Sequence, residues 1–446
     1  MTKPTVTLNT QGPQAVPVIG NYRWLILSLI FFATTINYLD RQVISLLKDD
    51  YLEKIFQWRE SDYANIVIAF QLAYAIGMLG MGWFIDRIGT KLGYAISLAI
   101  WSLAAISHAM ARSTIGFMAA RGILGLSEAG NFPAAVKTVA EWFPKKERAL
   151  ATGIFNSGTN IGAIVAPLTV PLIAMHMGWQ WAFILTGGIG LLWLLFWFAL
   201  YEVPQKHRRL KPAEFDYIHS DTDEQATNEK SSGQQNWLKL LTFRQTWAFL
   251  FGKLLTDPVW WFYLFWLPSF LSKQYGLTQT HLALPIAVVY SITTMGSIFG
   301  GWLSGFLIKR GWPVHRSRRT AMLVFALFAL PVVSAQALGQ YSYWYAVLIV
   351  GMATAGHQAW AANLFTTVSD MFPKKAVASV IGIGSMAGCI TGMLISKLAG
   401  FILDHYKALG SIETGYYVMF LICGSAYLIA WVIFNLLVPH MKRAEI

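Results

Sequence analysis

Charge is what this chain has least of. Of its 446 residues only 13% are charged, against 55% hydrophobic and 15% aromatic. A soluble domain carries about 25% charged residues, so the composition excludes that class and indicates an integral membrane protein. Cysteine is nearly absent: Cys389 and Cys423 both sit inside apolar runs, which excludes a disulfide framework and a zinc pattern. The histidines are scattered without metal-ligand spacing. No GxxxxGK[ST] motif is present and no glycine-rich loop follows a strand, so neither a nucleotide site nor nucleotide-driven pumping is supported. With no metal set and no nucleophile–base pair, no enzyme, no metal and no cofactor are expected. Residues 1–21 are polar, with Pro4, Pro13 and Pro17, and lack the short apolar core of a signal peptide. The first apolar run is therefore expected to be an uncleaved span.

What is present is a series of long apolar runs. A helix needs about 20 apolar residues to cross the bilayer core. Twelve stretches qualify: 22–47, 61–84, 92–111, 113–141, 150–176, 179–202, 244–272, 280–308, 318–337, 342–370, 376–405 and 413–438. An even number puts both termini on one side. Arg23, Arg87, Lys91, Lys145, Lys146, Arg148, Lys374, Lys375, Lys442 and Arg443 lie on that side, with further basic residues between Lys206 and Arg244 and between Lys309 and Arg319. The opposite side holds only Lys48, Lys54, Arg59, Arg112, Lys273 and Lys407. The positive-inside rule makes both termini cytoplasmic. The net charge of +12 is accounted for by this asymmetry, so nucleic acid is not an expected partner; lipid is.

The organisation follows: a tail (1–21), an N-terminal six-helix bundle (22–202), a polar cytoplasmic linker (203–243), a C-terminal bundle (244–438) and a second tail (439–446). The halves repeat each other. Glu141-Trp142-Phe143-Pro144-Lys145-Lys146 recurs as Asp370-Met371-Phe372-Pro373-Lys374-Lys375, each joining the fourth span of its half to the fifth. The same offset maps Gly153-Ile154 onto Gly382-Ile383 and sets His357 opposite Glu128. Parallel repeats about an axis along the membrane normal mark a transporter architecture with its site near mid-membrane.

Four ionisable residues interrupt the apolar runs: Asp40, Arg41, Arg121 and Glu128. A charge at the bilayer centre costs a few kcal/mol even on lenient scales and is kept mainly where it faces a cavity or a partner. Arg121 and Glu128, seven apart, share one helix face about 10 Å apart along its axis. Counting rise per residue puts Asp40, Arg41 and Arg121 at one depth and Glu128 below them. The expected roles are Arg41 as a two-pronged carboxylate ligand, Asp40 paired with Arg121, and Glu128 as the main proton carrier, since burial penalises a charged carboxylate. Lys137, Lys253 and Lys397 lie nearer span ends and are expected to snorkel.

Gly82-Trp83-Phe84-Ile85-Asp86-Arg87-Ile88-Gly89-Thr90-Lys91 resembles the loop signature of the major facilitator superfamily. That resemblance implies an all-α fold of twelve transmembrane helices in two six-helix bundles. It also implies that Asp86 and Arg87, with Glu141, gate the cytoplasmic side. Asn37-Tyr38-Leu39-Asp40-Arg41 and the run from Arg121 through Glu128 to Pro133 resemble the anion:cation symporter branch. Gly356-His357-Gln358-Ala359-Trp360-Ala361-Ala362-Asn363, with Thr366 to Pro373, resembles bacterial hexuronate transporters. The resemblance adds Tyr74 to the site.

Tyr38, Asn160, His357, Trp360, Asn363 and Ser385 are the polar and aromatic candidates for the sugar hydroxyls and ring. On a helical wheel His357, Trp360 and Asn363 fall roughly on one side. Each single Tyr or Asn is as readily interhelical glue as a substrate contact. The expected function is a monomeric, proton-coupled symporter in the bacterial inner membrane, importing galacturonate or glucuronate by alternating access. Another sugar acid or organic anion is the alternative substrate, and a non-transporting membrane sensor the alternative class.

Overall fold

The computed structural model describes residues 20–220, 237–372, 374–441 and 444. The tail before residue 20, the linker stretch 221–236, Pro373 and the tail residues Lys442, Arg443, Glu445 and Ile446 lie outside the described residues. The fold is all helical: α1 (Tyr22–Leu47), α2 (Glu60–Ile88), α3 (Thr90–Ser107), α4 (Thr114–Glu128), α5 (Asn131–Trp142), α6 (Lys145–Met177), α7 (Trp179–Leu200), α8 (Pro212–Ile218), α9 (Arg244–Tyr275), α10 (Ala283–Lys309), α11 (Val314–Ala329), α12 (Tyr343–Met371), α13 (Lys374–Ala408) and α14 (Ile412–Leu437).

Among the described residues nine helices are long and apolar enough to cross a membrane. The other three expected spans fall on α4–α5, α9 and α12. These carry Arg121 and Glu128, Lys253 and Asp257, and His357 and Asn363 respectively. These polar groups dilute the three spans, while α1 carries Asp40 and Arg41 in an otherwise apolar run.

One expected span is not a single helix. The stretch 113–141 breaks between Glu128 and Asn131. Pro133 has no N–H to return to the carbonyl of Ala129, so the hydrogen-bond ladder cannot run through. Gly130 sits at the break because α3 passes close: a Cβ there would stand 2.5 Å from the Ser97 hydroxyl. Asn131 fills the gap, accepting from the Tyr94 hydroxyl at 2.6 Å and donating to Thr34 at 3.3 Å. Elsewhere the chain turns sharply where glycine permits it. Gly89 and Gly178, at φ of 93° and 97°, join α2 to α3 and α6 to α7.

The two halves pack alike. In the first, α1 lies on α6, α2 on α4 and α3 on α7; in the second, α9 lies on α13, α10 on α12 and α11 on α14. The halves meet through α2 against α13 and, symmetrically, α6 against α10. Small residues let these pairs approach closely. A Cβ at Gly162 on α6 would stand 2.4 Å from the Thr35 carbonyl oxygen of α1, and one at Gly296 on α10 would stand 2.3 Å from the Ala355 carbonyl oxygen of α12.

The stretch 203–243, read from sequence as a linker, begins as a docked segment. Glu214 on α8 is buried and accepts from the backbone N–H groups of Tyr22 and Arg23 at 3.2 and 3.1 Å. A carboxylate there satisfies orphan donors at the start of α1. Arg23 ion-pairs with both Glu214 and Glu147, and Tyr217 also donates to Glu147, at 2.7 Å. Just before this segment a hydrogen bond from Lys91 holds the Glu202 carboxylate below its usual range.

The packing makes a direct prediction. Gly296→Val should force α10 off α12 and lower the melting temperature of the detergent-purified protein, with a cost of about 1–3 kcal/mol typical of overpacking. An unchanged melting temperature would show that the two helices are not held at that approach.

Candidate functional site

Arg41 is the centre of the buried charge in the first half. Its Nε and Nη2 both donate to one oxygen of Glu128, at 3.0 and 2.8 Å. Nη2 also reaches Asn37 at 3.4 Å. Three rings surround the guanidinium: Tyr38, Tyr74 and Phe70, with centroids 4.6, 5.0 and 5.1 Å away. Such faces attract a cation, the more so when it is desolvated. Asp40, Arg41, Arg121 and Glu128 are all at most 3% exposed.

The expected Asp40–Arg121 pair is not formed. Arg121 donates through Nη2 to the Arg41 carbonyl oxygen at 2.8 Å, while its Nε and Nη1 have no partner. Both carboxylate oxygens of Asp40 lack a hydrogen bond, although Thr186 on α7 and Arg121 lie within electrostatic reach. The Asp40 and Arg41 side chains leave α1 about 100° apart, and it is the arginine that turns toward α4. Its length spans the depth difference that rise per residue assigns between Arg41 and Glu128. Buried polar atoms without partners are rare in folded proteins. Among the charged groups of this site they are found on Asp40, Arg121 and the second oxygen of Glu128, and further ones are scattered through the fold, as on Trp101, Trp266 and Asn363.

The second half contributes unevenly. His357 bonds through Nδ1 to the Tyr427 hydroxyl at 2.7 Å, and its ring stacks on Trp260 at 5.2 Å. Trp360 is fully buried, edge-on to Tyr427. Asn363 donates to the carbonyl oxygens of Gly300 and Ala359. The indole N–H of Trp360 and the amide oxygen of Asn363 are buried without a hydrogen-bond partner. Asn160 on α6 and Ser385 on α13 are both half-buried; by the repeat offset Asn160 corresponds to Cys389 and Ser385 to Asn156.

Two site residues escape the sequence reading. Lys253 does not snorkel: it is 7% exposed, pairs with Asp257 at 2.6 Å and lies over the Phe365 ring at 4.8 Å. Asp257 was not singled out at all, although opposite charges four apart in an apolar run are a recognisable helix-face pair. Cys389 on α13 is within electrostatic reach of Arg41, Lys253 and Asp257.

A family model described as Major Facilitator Superfamily matches residues 30–396. The chain belongs to the major facilitator superfamily. As a member it is a multi-pass membrane transporter and not an enzyme. It is 31% identical over 391 residues to the hexuronate transporter of Escherichia coli (strain K12), covering 86% of this chain and 89% of that one. It is likewise 31% identical over 332 residues to the galacturonate transporter of Dickeya chrysanthemi, covering 74% and 94%. In fold it is similar to a bacterial homolog of the human lysosomal transporter Spinster, solved in an inward-facing and occupied conformation. The TM-score is 0.76 at 17% identity, covering 94% of this chain and 97% of that one.

In this major facilitator structure the signature loop does not join the halves. Asp86 ion-pairs with Lys137 at 2.7 Å, so Lys137 is a latch between α2 and α5 and not a snorkelling group. Arg87 lies over the Trp83 ring, and Glu141 accepts from Thr90 and Tyr201, both at 2.6 Å. All of these contacts stay within the first half. In the second half Arg318 pairs with Asp370 at 3.1 Å.

The ionic contacts between halves fall at the other end, away from the termini. Lys48 binds Glu60 at 2.8 and 3.0 Å and reaches across to the Ser269 hydroxyl at 2.9 Å. Lys273 crosses from the second half to Asp49, Glu53 and Glu60, and Lys407 crosses to Glu53. Asp404 accepts from the backbone N–H groups of Glu60 and Ser61 at the start of α2. Lys397 bonds to Asn65. Asp49, Glu53 and Glu60 lie close enough together to hold a cation, but lysine ammonium groups already occupy them. The molecule is latched shut at the end opposite its termini.

That latch is testable through Cys389, since Cys423 is fully buried. In sealed vesicles, Lys273→Gln should raise the rate at which a membrane-impermeant maleimide labels Cys389 from the latched face by about tenfold, the loss of roughly 1.4 kcal/mol of closure. An unchanged rate would mean that the network does not hold that end closed.

Proposed function

We propose that the protein is a proton-coupled symporter that imports a hexuronate by alternating access. Its setting would be the bacterial inner membrane, with both termini cytoplasmic, protons as the coupling ion and a monomer as the working unit. The observation that carries the reading is the buried Arg41–Glu128 pair inside a cage of Tyr38, Phe70 and Tyr74. A guanidinium matches a carboxylate in two parallel hydrogen bonds. Here an internal carboxylate occupies it. A proton on Glu128 would remove that competitor, and a substrate carboxylate would take its place. When the proton leaves, Glu128 would reclaim Arg41 and expel the substrate. Arg121 and Asp40 supply further unpartnered donors and acceptors beside this exchange. Tyr38, Tyr74, Asn160 and Ser385 would offer hydroxyl, amide and ring contacts to the sugar, with His357 opposite.

The names of the relatives support a sugar acid, and the cation at the site supports an anion over a neutral sugar. Another sugar acid, such as an aldonate or an aldarate, satisfies the same chemistry and is the second reading. Asp86, Arg87 and Glu141 would form the opposing gate when the cytoplasmic side closes.

Uptake into proteoliposomes tests this. Arg41→Ala should weaken galacturonate binding by about 10- to 100-fold, as expected for losing a charge-assisted hydrogen bond. Glu128→Gln should still exchange galacturonate but lose accumulation against a gradient when a proton gradient is imposed. Full proton-driven accumulation by Glu128→Gln would remove its coupling role. Equal thermal stabilisation of the wild type by neutral galactose would remove the anion site.

A further inference from the structure

The second half holds a buried charge pair that the mechanism above leaves unused. Lys253 and Asp257 lie on α9, four residues apart, and meet at 2.6 Å. Asp257 lies about 20 Å along α9 from Arg244, well inside the membrane. Their side chains are 9% and 17% exposed, so the pair is buried but not sealed.

A structural role accounts poorly for this pair. Both partners belong to one helix, so their bond fixes no second helix in place. The neighbouring helix instead makes room for them. A Cβ at Gly388 on α13 would stand 2.1 Å from the Asp257 carboxylate, and one at Gly384 would stand 3.4 Å from the Lys253 stem. A buried ion pair contributes little net stability, and apolar residues of similar size would often serve as well. Inside a membrane such groups are by default functional.

Position supplies the function. α9 packs against α1, the helix that carries Arg41. Gly388 on α13, next to Cys389, packs directly on Asp257. His357 on α12 stands on the ring of Trp260, which lies three residues on from Asp257 on α9. Each half thus holds one buried cation on an acid of its own, Arg41 on Glu128 and Lys253 on Asp257. Lys253 suits ligand exchange, because its ammonium is a compact charge with three rotatable donors.

We propose that Lys253 is a second carboxylate subsite, at which a ligand carboxylate displaces Asp257. The ligand class this selects is a dicarboxylic sugar acid, with one carboxylate on Arg41 and the other on Lys253. The inference rests on the reading of Arg41 as the first carboxylate ligand.

Calorimetric titration of the purified full chain with galactarate, a diacid, and galacturonate, a monoacid, tests it. The wild type binds both. In Lys253→Gln the ratio of galactarate to galacturonate affinity falls about tenfold or more, equivalent to roughly 1.4 kcal/mol. In Asp257→Asn, which keeps the ammonium and weakens its competitor, the same ratio rises. Should Lys253→Gln fail to fold, Asp257→Asn carries the test alone. A wild type that binds galacturonate but not galactarate overturns the subsite, as does an unchanged ratio in the variant tested. A wild type that binds neither acid sinks the sugar-acid reading itself, and the subsite with it.

Discussion

The cost of charge in a low-dielectric interior is the constraint on which this structure is built. Water satisfies a charged group without any partner; a bilayer does not. Each charge kept inside the membrane must therefore meet an opposite charge, a polar group or a cavity. Arg41 meets Glu128 and Lys253 meets Asp257. These pairs stay within their own half. That confinement lets each half remain electrically complete when it moves relative to the other. Among the described residues, the charge pairs that cross between halves lie at the end opposite the termini, from Lys273 to Asp49, Glu53 and Glu60 and from Lys407 to Glu53.

The packing has the same division of labour. Within each half, equivalent helices pair through backbone approaches that only small residues allow, as at Gly162 and Gly296. Such contacts are short and rigid. Between halves, α2 meets α13 and α6 meets α10. Along the first of these seams Ser396 donates to Gln71 at 3.1 Å, Lys397 bonds to Asn65 and Asp404 caps the start of α2, the last two toward the latched end. Hydrogen bonds and ion pairs of this kind can break and re-form without repacking a core. Two rigid bodies joined by exchangeable polar contacts at one end are what a rocking motion requires.

Much of this was legible in the chain. Span positions follow from apolar run length, and the two halves follow from the recurrence of the Phe-Pro-Lys-Lys junction. The four charges of α1 and α4 stand out because nothing around them is polar. Partner choice was not legible. Rise per residue places Cα atoms, whereas an arginine side chain reaches far enough to bond at another depth, so Arg41 and not Arg121 took a carboxylate. Asp257 was overlooked because a lysine near a span end reads as snorkelling, and its pairing hides the acid. The docking of Glu214 onto the start of α1 depends on a turn in the intervening polar segment that no periodicity records. The break after Glu128 was readable in Pro133, which was quoted within a motif but not weighed for its missing N–H.

Charge arithmetic links the two buried sites to coupling. With all groups ionised, Asp40, Glu128, Arg41 and Arg121 sum to zero, and so do Lys253 and Asp257. A substrate carboxylate entering this neutral interior adds an uncompensated negative charge, which the surrounding apolar helices penalise. One proton on any of the three acids restores neutrality and, at Glu128 or Asp257, also frees the cation that the carboxylate needs. On the proposed reading the proton is thus required twice, once for charge balance and once to vacate the ligand. Binding of anion and proton then favour each other without any contact between them. A neutral sugar would gain nothing from the proton, and an anion arriving alone would find Arg41 and Lys253 already held.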